Sequence, residues 1–113
     1  MGSDGRVTKE TLTSDGVTGS LGSIGASALQ LCSALTAAQL ARKYDKGIEI
    51  KADPANGGNL FVGWGSGVTA GGASGTDGYI LSAGQSVFIQ TEDISRLYVI
   101  ASTTGQKAYF IVQ

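Results

Sequence analysis

Residues 85–90 (QSVFIQ), 96–102 (RLYVIAS) and 107–113 (KAYFIVQ) decide how this chain folds. All three are rich in Val, Ile, Tyr and Phe, side chains that suit a pleated, half-buried surface. The connectors TED (91–93) and TTGQ (103–106) are polar and of hairpin length, which predicts an antiparallel meander. Within 97–101 one face carries Leu97, Val99 and Ala101 and the other Tyr98 and Ile100. Apolar residues on both faces imply a strand covered on both sides, as in a sandwich core. Leu97, Val99, Tyr109 and Ile111 are expected in that core.

Upstream, residues 46–52 (KGIEIKA) alternate cleanly, with Ile48 and Ile50 inward and Glu49 and Lys51 outward. The run DPANGG (53–58) has turn chemistry: Pro54 presets φ, and Asn56-Gly57 supports a tight reversal into a returning strand at 59–64 (NLFVGW). Residues 65–78 hold six glycines and read as a long surface loop. Residues 79–81 (YIL) and 27–32 (SALQLC) make two more short strands. Between them, 33–44 (SALTAAQLARKY) permits either a short helix capped by Ser33 or Thr36 or an irregular loop. About seven short strands joined by turns predict an all-β domain over 27–113, a compact antiparallel β-sandwich or small jelly-roll-like barrel.

Residues 1–26 are Gly, Ser, Thr and Asp with scattered aliphatics, and read as an extended N-terminal arm. Such an arm either folds back onto its own domain or lies across a neighbouring subunit. Leu12, Val17, Leu21 and Ile24 are its candidate partner-binding residues.

Composition excludes several functions. A net charge of −1 offers no basic surplus for a nucleic-acid backbone. No apolar run reaches the roughly 20 residues of a membrane span. The opening MGSDGR has no apolar stretch, so neither a secretory signal nor a membrane partner is expected. There is no His, which removes the commonest general base and metal ligand, and Cys32 therefore lacks the usual activating partner. Asp53, Asp77, Glu92 and Asp93 fall in expected turns, where a carboxylate bonds local backbone. The run GWGSG (63–67) lacks the third glycine and the following helix of a nucleotide loop. No catalytic residue, metal or cofactor is expected. Trp64, flanked by glycines at the mouth of the loop, is the remaining candidate for an interface or ligand contact, with Tyr79, Tyr98 and Tyr109 as possible aromatic companions.

With these residues in place, the chain resembles small virion proteins of tailed bacteriophages, of the head-decoration and minor structural kind. The resemblance runs over 46–113, about three fifths of the chain. It is carried by IKADPAN (50–56), VG (62–63), GVTA (67–70), DGY (77–79), AGQSVF (83–88), DIS (93–95), LYVIA (97–101) and GQK (105–107). These are turn and strand signatures, with no active-site motif among them. The resemblance implies a capsid decoration or cement protein, made in the host cytoplasm and displayed on the virion surface. Its partners would be the major capsid protein and copies of itself, giving a homo-oligomer on the particle. The alternative is a carbohydrate-binding module of a phage tail or fibre that uses Trp64.

Overall fold

A computed structural model describes residues 16–113. Eight strands, one short helix and a 3-10 turn follow in order: β1 (Val17–Ile24), β2 (Leu29–Gln30), α1 (Ala37–Ala41), β3 (Ile48–Ala52), β4 (Leu60–Trp64), β5 (Tyr79–Leu81), β6 (Ser86–Ile89), the turn Ile94–Arg96, β7 (Leu97–Ala101) and β8 (Gln106–Val112). Period-two alternation sets the central ones. Ile48, Ile50 and Ala52 of β3 are buried while Glu49 and Lys51 are exposed, and β7 buries Leu97, Val99 and Ala101. The helix is a single capped turn. The Thr36 hydroxyl accepts from the Gln39 amide, and the Gln39 side chain accepts from the Thr36 amide.

The strands form two antiparallel sheets, ordered β1-β8-β3-β6 and β2-β7-β4-β5. The pairing is nested: β4 with β5, β3 with β6, β2 with β7, and β1 with β8. The chain is thus one long hairpin with β4–β5 at its tip. Wrapping that hairpin on itself adds the pairings β3–β8 and β4–β7. An eight-strand hairpin wound this way is a jelly roll. The expected sandwich is therefore present, but the expected meander is not. β6, β7 and β8 lie in alternate sheets, and the 53–58 turn carries the chain from β3 across to β4 rather than back alongside it. Turn chemistry marks a reversal without saying which sheet receives the next strand. Here the reversal is anchored to β8: Asn56 donates to the Lys107 carbonyl and accepts from the Lys107 amide, both at 2.9 Å.

The core lies between the sheets. Ile48, Ile50 and Val112 face Leu60, Leu97 and Val99, while Leu31, Cys32, Tyr44 and Ile94 are also buried in the cluster. Two expectations need correction. Tyr109 and Ile111 are each 41% exposed on the outer face, and β8 instead buries Ala108, Phe110 and Val112. The sequence AYFIV is apolar in both phases, so its own pattern does not choose one. The second correction concerns the arm. Residues 17–24 are not a free arm but the edge strand β1, paired with β8 from Val17↔Val112 to Ile24↔Gln106. Val17 and Ile24 are buried in the core of their own domain, and Leu21 packs against it half-buried. Gly19 lies beneath the Phe110 ring, where a Cβ would stand 2.6 Å from the ring, so its lack of a side chain is a packing requirement. The sandwich begins at Val17 rather than at residue 27, and Leu12 lies outside the described residues.

Ile24 is 0% exposed, so Ile24→Ala is expected to cost about 2–5 kcal/mol in urea unfolding. A chain beginning at Ser27, which lacks β1 altogether, is expected to lose more. A change near zero for Ile24→Ala would place 17–24 outside the fold.

Candidate functional site

The long connection between β4 and β5 is an ordered cover rather than a slack loop. Its backbone folds onto the outer face of the second sheet. Val68 is 5% exposed, and a Cβ at Gly63 would stand 2.7 Å from its Cγ2. Gly78 crosses the strand backbone at Phe61 and Val62, where a Cβ would come within 2.6 Å of the Phe61 carbonyl carbon. Phe61, 9% exposed, and Val68 are thus buried apart from the inter-sheet core.

Asp77 fastens this cover. Its Oδ1 accepts from the Thr69 hydroxyl at 2.7 Å, and both carboxylate oxygens accept from the Ala73 amide at 3.0 Å. Thr69 and Asp77 also form an isolated parallel bridge, with the Thr69 amide donating to Thr76 and the Gly78 amide to Thr69. The Thr69 hydroxyl, foremost, and the amides of Ala73, Gly71 and Gly72 hold the Asp77 carboxyl below its ordinary pKa, with desolvation opposing them. A carboxylate whose acceptor sites are occupied by its own loop is a clamp, and it is poorly suited to move protons. The other turn carboxylates act similarly. Asp93 is held low chiefly by the Ser95 hydroxyl and amide at the start of the 3-10 turn, and Asp53 accepts from the Ala55 amide at 2.8 Å. Burial pushes the Cys32 thiol up to about 12, so at neutral pH it is no nucleophile.

The cover shapes the groove that holds Trp64. In the β4–β5 register Tyr79 stands opposite Val62, and Trp64 lies two residues further along β4. That diagonal spacing is within reach of aromatic side chains. Trp64 and Tyr79 are 56% and 64% exposed and line one groove of about 350 Å³ with Val68, Thr76 and Asp77. Ile80, next to Tyr79, is 48% exposed. Of the residues singled out in sequence, Trp64 is therefore presented at the surface, whereas Val17 and Ile24 are withdrawn into the core.

A second surface escaped the sequence reading. On the outer face of the first sheet, register aligns Thr18, Ile111, Glu49 and Phe88 in one row across the four strands. The next row is Ser20, Tyr109, Lys51 and Ser86. Phe88 is 54% exposed, and the Lys107 ammonium lies 5.0 Å from the centre of the Tyr109 ring. The signal was Phe88 between Val87 and Ile89, where alternation places one of three apolar residues outside. Compared with family models, curated proteins and solved structures, the chain matches none.

The clamp gives a pH signature with a fixed sign. The folded pKa of Asp77 lies below its unfolded value, so its contribution is complete above the unfolded value and drains as pH falls through the folded one. Trp64, the single tryptophan, reports on it. Wild-type emission is expected to stay constant through the ordinary carboxylate range and to shift only below it. Asp77→Ala should show the shifted emission already at neutral pH, with an unchanged far-UV spectrum. Unaltered emission in that variant would mean that the cover holds without the clamp.

Proposed function

We propose that this chain is a capsid decoration protein of a tailed bacteriophage, which seats on the outside of the shell and ties neighbouring subunits together. The observation that carries the reading is the Trp64–Tyr79 surface: two large aromatic side chains, both more than half exposed, set diagonally on two paired strands and lining one groove. Trp and Tyr dominate the energetics of protein interfaces because they bury much area while freezing few torsions. Here the Asp77 clamp and the close packing of Val68 on Gly63 and of Gly78 on Phe61 fix their backbone beforehand, which lowers the entropy cost of docking. The jelly roll supports the reading only by analogy, since viral capsid domains and lectins both use it. The likeness of residues 46–113 to virion proteins points the same way. The partner at this surface is the major capsid protein.

A second reading rests on the groove itself. The Thr76 hydroxyl and the Asp77 carboxylate line it beside the two rings, a combination of stacking face and polar edge that also suits a sugar. In that case the chain is a carbohydrate-binding module of a tail or fibre.

The deciding measurement is co-sedimentation of the full chain with empty capsids of the phage that encodes it. Trp64→Ala and Tyr79→Ala are each expected to weaken binding by about thirtyfold, the size of an interface hot spot. Binding to capsids that is indifferent to both substitutions would remove this surface from the contact. Glycan-array binding lost in Trp64→Ala, with no capsid binding by the wild type, would establish the sugar reading instead.

A further inference from the structure

We infer that the outer face of the β1-β8-β3-β6 sheet is a self-complementary surface on which a second copy of this chain docks about a two-fold axis. The inference deepens the self-association in the reading above, but it needs no shell, because association in solution reads it directly.

The face carries three exposed apolar side chains, Phe88, Tyr109 and Ile111, with Glu49 and Lys51 at its centre and with Lys107 and Asp53 beside Tyr109 at its margin. Glu49 stands between Ile111 and Phe88, and Lys51 between Tyr109 and Ser86. Neither charge forms an ion pair with another described residue. Opposite charges two residues apart on one strand, set among apolar groups, form a pattern that can satisfy itself.

Two sheets stack about 10 Å apart with their strands roughly aligned, which leaves two simple two-fold arrangements. With the axis laid over β3, an axis along the strands keeps strand direction, so Glu49 meets the second copy's Glu49 and Lys51 meets its Lys51. An axis across the strands reverses direction and brings the Glu49 row over the Lys51 row. Each Glu49 then faces the second copy's Lys51, and each Ile111 faces the second copy's Tyr109. Coulomb energy separates the two, since like charges brought together at a drying interface are strongly unfavourable. The pattern therefore selects the antiparallel, isologous dimer, in which the charge pair and the apolar pair each form twice. The Trp64 groove is built on the other sheet, so docking of a copy here leaves it available to the shell.

Sedimentation of the full chain over a range of concentrations provides the test. The wild type is expected to associate. Glu49→Lys alone and Lys51→Glu alone should each weaken that association about tenfold or more, because each places like charges face to face. The double variant E49K/K51E should associate again. An equimolar mixture of the two single variants should form heterodimers, since two lysines then face two glutamates. Phe88→Ser, an exposed apolar position on the same face that changes no charge, should also weaken the wild-type dimer. A chain that stays monomeric at its highest soluble concentration overturns the inference, as do single variants that associate as tightly as the wild type. Capsid binding by E49K, measured in parallel, keeps the shell reading separate: loss of association with retained capsid binding removes only this surface.

Discussion

The fold depends on β8 lying between β1 and β3. No described strand of the first sheet has a sequence neighbour beside it, so each described connection to or from that sheet must cross the sandwich. Such crossings expose backbone groups over the open edges of the core, and those groups need partners. Side-chain amides supply several. Asn56 pairs with both backbone groups of Lys107, and the buried Gln106 accepts from the Gly58 amide while donating to the Thr104 carbonyl. The 53–58 crossing is thereby fixed to the start of β8. At the other end of that strand, the amides of Lys46 and Gly47 both donate to the Gln113 carbonyl. With β8 held at both ends, β1 has an edge to pair with and Phe110 has its place over Gly19.

Much of this was legible in the residues, and the parts that were not share a physical cause. IEIKA can bury only one face, so β3 reads from its own pattern, and LYVIA reads nearly as well. AYFIV is apolar in both phases, and only the space left by the neighbouring strands selects Phe110 over Tyr109 and Ile111. β1 was illegible for the opposite reason. VTGSLGSI buries just its two end residues, and its place in the sheet comes from β8, about ninety positions away in sequence. At the candidate site, Trp64 stood out between two glycines. Tyr79 was one of three possible companions, and only the β4–β5 register, closed over a fourteen-residue cover, selects it over Tyr98 and Tyr109.

One glycine of β4 and one at the end of that cover also serve a purpose that composition alone would not suggest. Gly63 and Gly78 are narrow so that Val68 and the returning backbone can lie flat on β4. The second sheet thus hides Phe61 under its own loop while Ile80 and the rim aromatics stay exposed. Among the described residues the first sheet has no such cover, and its outer apolar groups stand open between charges. The two faces are therefore finished differently, one internally and one awaiting a neighbour.

Nested pairing also orders the work of assembly. The rungs span progressively longer segments, from Leu60↔Leu81 at the tip through Ile48↔Ile89 and Leu29↔Val99 to Val17↔Val112. Closing the outermost rung first would cost about 1.3 kcal/mol more chain entropy than closing the tip, by the logarithmic dependence on loop length. Once the tip is closed, each rung leaves a shorter free segment for the next, so zipping outward is the cheapest route. Such long-range pairing is slow in any order. Along the outward route the strands that frame the aromatic groove meet early, and the edge strand β1 is laid down last.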